Sequence, residues 1–196
     1  MADFSKELLN FEEIISFSKK RIEDLKKGRN ALRDKIKKYF INNGYKVPNF
    51  FMQGSYSLGT LIEPIEGEYD LDDGVYLNHL DDDKDSWPST ESIHNFLFKS
   101  VENHTEEVKN KKNCVRVVYK NDKHIDLPMY TKSEEKYYIA KKYEDQWVES
   151  DPKQFKDWFL SKANEHEGNK SRRVIKYIKA WKDFKDVKIT GIIISI

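Results

Sequence analysis

The chain has 196 residues, with 35 Lys and Arg against 34 Asp and Glu, and a formal net charge of +1 that excludes a charge-driven nucleic-acid coat. Charged residues make up 35% and hydrophobic ones 38%; the 13% aromatics are too many for a disordered chain, and the length suits one core. The single cysteine, Cys114, excludes an internal disulfide and a structural zinc cluster.

The first residues, Met1 to Glu7, lack the basic-then-apolar pattern of a secretory signal. No apolar run reaches membrane-spanning length, so a cytoplasmic chain with no membrane partner is expected. From Leu8 through Phe11, Ile15, Ile22, Leu25, Leu32, Ile36 and Tyr39, apolar residues recur at helical steps with charged residues between them. This predicts a long amphipathic helix, divided at Gly28 and ended by Asn42, Asn43 and Gly44. Residues 1–45 are thus expected to pack as a helix on a core formed by 46–196, and interruptions of the stripe at Ser18 and Arg29 argue against a coiled-coil dimer.

Past Pro48, short apolar or alternating runs predict strands at 50–53, 69–80, 115–119, 125–130 and 137–141, with Asn121 and Asp122 as a hairpin turn. A solvated loop from Asp81 to Ser86 leads through Pro88 and Ser89 into a helix carrying Ile93, Phe96, Leu97 and Val101. Asp151 and Pro152 form an N-cap and first-turn pair for a helix through Phe155, Trp158, Phe159 and Leu160. A further helix carries Val174, Ile178, Trp181 and Phe184 as its apolar face and Arg172, Lys176 and Lys179 on another. The expected class is α+β, a mixed sheet flanked by helices.

Asp70 and Asp72 are two apart in a predicted strand, so they share one face while Leu71, Val75 and Leu77 take the other. Two adjacent carboxylates repel unless a divalent cation neutralises them. Asp126 alternates against Ile125, Leu127 and Met129, so it too leaves the apolar face. If the strands are neighbours, three carboxylates converge and suit Mg²⁺, a hard ion that prefers oxygen ligands. Solvated strand aspartates are the plainer reading, but Asp is a poor strand former and Asp73 adds a fourth. A calcium loop fails because its glycine position falls on Val75. Upstream, Gln53, Gly54, Ser55, Tyr56 and Ser57 form a polar turn whose backbone N–H groups and Ser55 hydroxyl suit an anion. His124 shares the Asp126 face, and Tyr76 and Tyr130 share the aspartate faces, where they could stack on a base.

A Gly-Ser turn, an Asp-x-Asp strand and a lone Asp on a later strand resemble the motif of the polymerase-β-like nucleotidyltransferases. Within that superfamily, three runs resemble the cGAS/DncV-like bacterial cyclic-oligonucleotide synthases of anti-phage defence: Gln53 to Thr60, Tyr69 to Leu77, and His124 to Pro128. The similarity extends to Ser150-Asp151-Pro152 and to Arg172 through Asp183. The resemblance implies a polymerase-β-like core in which Gln53, Gly54 and Ser55 hold a donor triphosphate. It makes Asp70, Asp72 and Asp126 the catalytic ligands of two Mg²⁺ ions, with Mn²⁺ as an alternative, and gives Lys179 and Thr190 phosphate contacts. A solvated basic face is the competing reading of Lys179. The implied substrates are ATP, GTP or other nucleoside triphosphates, joined into a cyclic di- or trinucleotide, with no nucleic acid required.

The family continues beyond this point as a helical lobe, whereas this chain ends just after Thr190 and Gly191. The resemblance therefore implies a truncated form or a minimal one needing a protein partner, through the N-terminal helix or the C-terminal edge. Two alternatives stand beside cyclic-nucleotide synthesis: transfer of one nucleotide to a protein or RNA, and an inactive nucleotide-binding fragment.

Overall fold

The computed structural model describes residues 3–65, 68–77, 79–80, 82–120, 123–144, 146–165 and 168–195; the predicted turn at Asn121 and Asp122, and Asp81, lie outside these. Two helices occupy the N-terminal segment, α1 (Ser5–Ile15) and α2 (Lys19–Asn42). The break falls at 16–18 and not at Gly28. Ser18 has an extended backbone, and its hydroxyl accepts from the Arg21 amide at 3.3 Å, which caps the start of α2. Gly28 lies inside α2 because the helix passes close over the sheet: a Cβ there would stand 3.1 Å from Tyr119 Oη and 3.4 Å from Ile125 Cδ1. At the far end Gly44 takes φ +77° and the chain turns back, with the Tyr45 amide donating to the Phe40 carbonyl at 2.9 Å.

Among the described residues the sheet has eight strands: β1 (Asn49–Met52), β2 (Tyr69–Tyr76), β3 (Glu107–Asn110), β4 (Val115–Tyr119), β5 (Lys123–Leu127), β6 (Met129–Ser133), β7 (Lys136–Lys141) and β8 (Gln146–Glu149). Strands β3 and β8 were not predicted; their residues, such as Glu107-Val108-Lys109-Asn110, carry too little apolar signal for an edge position. The predicted strand at 125–130 is two strands, separated by Pro128, which has no amide to donate. Both halves run parallel to β2 in one unbroken register, Asp72 opposite Asp126 and Val75 opposite Met129. Their outer partner changes at the proline: β4 pairs antiparallel with β5, and β7 with β6. The sheet therefore splits into two wings beyond that strand, while β1 pairs antiparallel with the residues Asp73 to Tyr76 of β2.

Helices α2 and α4 (Thr90–Val101) cover one face of the sheet, burying Leu25, Leu32, Ile36, Leu97 and Val101 with Leu71, Val75, Ile125 and Leu127. Fully burying one such side chain is worth roughly 1.5–3 kcal/mol. A smaller cluster, centred on Leu58, Phe159 and Ala163, joins α3 (Gly54–Leu58) to α5 (Pro152–Glu165) and α6 (Gly168–Phe184). Asp151 caps α5 as predicted, its Oδ1 accepting from the Lys153 and Gln154 amides at 3.0 and 2.9 Å. The chain closes with the short helix α7 (Gly191–Ile194).

Helix α6 carries its apolar stripe outward. Val174, Ile178, Trp181 and Phe184 are exposed at 52%, 43%, 54% and 70%. Its cations face inward instead: Arg172 Nε donates to the Leu58 carbonyl at 3.1 Å, and Lys176 Nζ reaches Glu12 Oε1 at 3.3 Å and Ser16 Oγ at 3.2 Å. These bonds satisfy the cationic groups, and their long aliphatic stems supply the packing that apolar residues supply elsewhere. Among the described residues no helix is long and apolar enough to cross a membrane.

Candidate active site

Strand β2 presents its residues alternately. Tyr69, Leu71, Asp73, Val75 and Leu77 are buried, the odd positions facing the α2 and α4 core, while Asp70, Asp72, Gly74 and Tyr76 share the opposite face. Asp73 therefore belongs to the core face and not to the acidic group with which its sequence position associates it. It is fully buried, and Arg33 of α2 meets it with two hydrogen bonds of 2.7 and 2.5 Å.

The other face of β2 floors a cleft of about 690 Å³. Gly54 and Ser55 open α3 immediately after β1, with Gly54 at φ +62°. A Cβ on Gly54 would fall on Asp72 Oδ2, so the turn lies directly against that carboxylate and only glycine fits there. Asp70 and Asp72 line the floor, and Lys179, Lys182 and Asp183 of α6 line the opposite side with Gly191 and Ser195. Lys179 Nζ donates to the Thr60 carbonyl at 3.2 Å and to Thr60 Oγ1 at 3.1 Å. Desolvation lowers the Lys179 pKa to about 8, with the charge of Asp70 opposing the shift. Of the three cations assigned to one face of α6, Lys179 alone lines this cleft; Arg172 and Lys176 are committed to structural bonds. Thr190 is exposed, and its neighbour Gly191 is the residue that reaches the cleft.

Asp126 lies beside Asp72 in register and is only 8% exposed. Both its oxygens are held by Arg116, its cross-strand partner on β4, at 2.7 Å each. The three carboxylates share one side of the sheet, but the third is already neutralised by a cation. Among the described residues no three acidic, histidine or cysteine side chains form a ready cation cage. Burial, followed by the charges of Asp70 and then Asp126, raises the Asp72 pKa from 3.8 to about 7, against the influence of Arg116. This is the electrostatic condition that a divalent cation relieves, and oxygen donors are what Mg²⁺ prefers, so Asp70 and Asp72 fit such an ion.

A second pocket of about 520 Å³ adjoins the cleft and shares Gln53 and Asp72 with it; Lys111, Cys114, Arg116 and Tyr130 also line it. Cys114 is buried, which pushes its thiol pKa up. His124 stands 3.0 Å from Glu68 without hydrogen-bond geometry, and burial lowers its pKa. Tyr76 and Tyr130 stack on each other, with centroids 4.8 Å apart, so each ring has one face covered by the other. Gln53 is 6% exposed, and both ends of its side-chain amide are bonded to those tyrosines.

Sequence reading did not single out Thr60, Arg116 and Lys182. Lys182 lies one turn from Lys179, a signal that helical spacing could have supplied, whereas Arg116 is identified only by strand pairing.

Residues 48–130 match the family model described as the nucleotidyltransferase domain of DncV-like cyclic GMP-AMP synthases. The chain is 30% identical over 143 residues to a cyclic GMP-AMP synthase of Escherichia albertii, covering 69% of this chain and 32% of that protein. It is 29% identical over 177 residues to a c-di-GMP synthase of Roseivirga ehrenbergii, covering 77% and 46%. The chain thus spans less than half the length of these curated relatives. Its fold is shared with Vibrio cholerae DncV cyclic AMP-GMP synthase in complex with the linear intermediate pppA(3′,5′)pG, at a TM-score of 0.71, 21% identity, and coverage of 90% of this chain and 65% of that one. Escherichia coli DncV bound to 3′-deoxy GTP gives a TM-score of 0.75 at 20% identity, covering 94% and 68%.

Proposed function

We propose, on the premise that residues 48–130 constitute a DncV-like nucleotidyltransferase domain, that the chain transfers a nucleotide from a nucleoside triphosphate to a hydroxyl of a second nucleotide. Repeated and closed on itself, this step makes a cyclic di- or trinucleotide messenger. The observation that carries the reading is the contact of the Gly54 turn with Asp72, across one cleft from Lys179.

In the proposed step a ribose hydroxyl oxygen attacks the α-phosphorus, the bond to the bridging oxygen of the β-phosphate breaks, and pyrophosphate leaves as the hydroxyl proton is lost. Gly54 and Ser55 hold the triphosphate through backbone N–H groups and a hydroxyl, and Lys179 balances its charge from the opposite side. Asp70 and Asp72 would hold Mg²⁺, which supplies Lewis-acid stabilisation of the developing charge and lowers the pKa of the attacking hydroxyl. Asp126, kept in place by Arg116, would complete the carboxylate group beside Asp72, its own charge balanced by that guanidinium. The second pocket, which adjoins Asp72 and Asp126, has room for the acceptor nucleotide. The named activities of the relatives support a role in cyclic-nucleotide signalling, which we place in the cytoplasm and in anti-phage defence.

The test is incubation with Mg²⁺ and labelled nucleoside triphosphates followed by phosphatase. A resistant small product, absent with Asp70→Asn and Asp72→Asn, is the expected result. Label on a macromolecule would mark transfer to protein or RNA, and triphosphate binding without any product would mark an inactive domain.

A further inference from the structure

Gln53 is the last residue before the Gly54-Ser55 turn, and it is bonded three times to the strands beneath. Its backbone amide donates to the Asp72 carbonyl at 3.0 Å. Its side-chain Nε2 donates to Tyr76 Oη at 3.0 Å, and its Oε1 accepts from Tyr130 Oη at 3.1 Å. The two phenols belong to register partners on β2 and β6, and their stacked rings are inclined by only 15°. Both tyrosines are buried at 0% and 4% exposure, so one amide group is clamped from either end by phenols largely withdrawn from water. Such buried amide bonds are costly to leave half-made.

The fold makes room for this clamp. Gly74 lies between Asp72 and Tyr76 on the same face of β2, and a Cβ there would fall on Gln53 Nε2. The cluster also reaches α5. Lys153, in the first turn of α5, places its Nζ 4.1 Å from the centroid of the Tyr76 ring and donates to Tyr137 Oη at 3.2 Å.

We infer that Gln53 is a positioning residue: through Tyr76 and Tyr130 it fixes the Gly54-Ser55 turn against Asp72. The inference rests on the reading of that turn as the triphosphate cradle. It predicts that Tyr76, which does not line the cleft, still governs ligand affinity.

The experiment measures binding of ATP with Mg²⁺ to the full chain by calorimetry, alongside amide hydrogen exchange at Gly54 and Ser55 and thermal unfolding. Gln53→Leu should weaken binding about tenfold, Tyr76→Phe about threefold, and the double variant no more than Gln53→Leu alone, the non-additivity of residues acting as a unit. Exchange at the turn should quicken in all three. If Gln53→Leu does not fold, Tyr130→Phe takes its place in the cycle. Wild-type affinity and exchange in Tyr76→Phe, or losses that multiply in the double variant, would overturn the inference. Ser55→Ala tests the underlying reading: unchanged affinity there, with quickened exchange in Gln53→Leu, keeps the positioning role and removes the triphosphate assignment.

Discussion

The two faces of β2 treat adjacent aspartates in opposite ways. Asp73, on the core face, is sealed from water and paired with Arg33 through two short hydrogen bonds. Asp72, on the cleft face, has two other carboxylates for neighbours and its pKa is raised to about 7. Burial of charge was resolved on one side within the fold and left unresolved on the other. A strand that changed only its parity by one residue would exchange the two, so the difference comes from what each face is packed against.

Four measurements would break or sharpen this contrast. The largest effect is expected on the cleft face: Asp72→Asn should lower product formation by about a hundredfold or more, because a ligand for the transition-state charge is lost. If turnover survived, the cleft-face carboxylate would have no special standing. Next, Arg33→Met leaves Asp73 buried and unpaired, at a cost of about 3 kcal/mol. Calorimetry should then show a fall in the unfolding temperature of about 10 °C.

The third concerns pH. The Asp72 pKa is higher in the folded chain than in the unfolded one, so in the absence of metal this group's contribution to stability is lost as pH rises from about 4 to about 7. Mg²⁺ must displace its proton, so Mg²⁺ affinity should fall by up to about tenfold per pH unit below 7. Thermal unfolding across this pH range checks the first, and titration calorimetry the second, each on wild type and Asp72→Asn, since the variant should lose the dependence. The smallest effect lies away from both faces: Trp181→Ser, at a site 54% exposed, should change stability by less than about 0.5 kcal/mol.

The cleft face was the more legible of the two. Strand parity alone separates Asp70 and Asp72 from Leu71 and Val75, and the Gly-Ser turn announces a close backbone approach. The partner of Asp73 lies forty residues upstream on a helix, and a local pattern carries no record of it. The orientation of helix α6 was not legible for a related reason. Periodicity identifies an apolar stripe but not which side is covered, and here Arg172, Lys176 and Lys179 found partners on Leu58, Glu12 and Thr60 that only tertiary structure reveals. Gly28 read as a helix breaker from its propensity, yet the helix continues and the glycine serves its contact with Tyr119.

The unbroken register across Pro128 makes two segments of sequence into one signature. Asp72 and Tyr76 are spaced as Asp126 and Tyr130 are, and each pair stands opposite the other. The chemistry-bearing rung and the supporting rung are thus counted along both strands by the same ruler. Deleting one residue between Asp126 and Tyr130 would leave the acid in place but turn the phenol to the core face, releasing Gln53. A lineage keeping this site must therefore keep the spacing in both strands together, so insertions are tolerated in the hairpins outside them and not between the rungs.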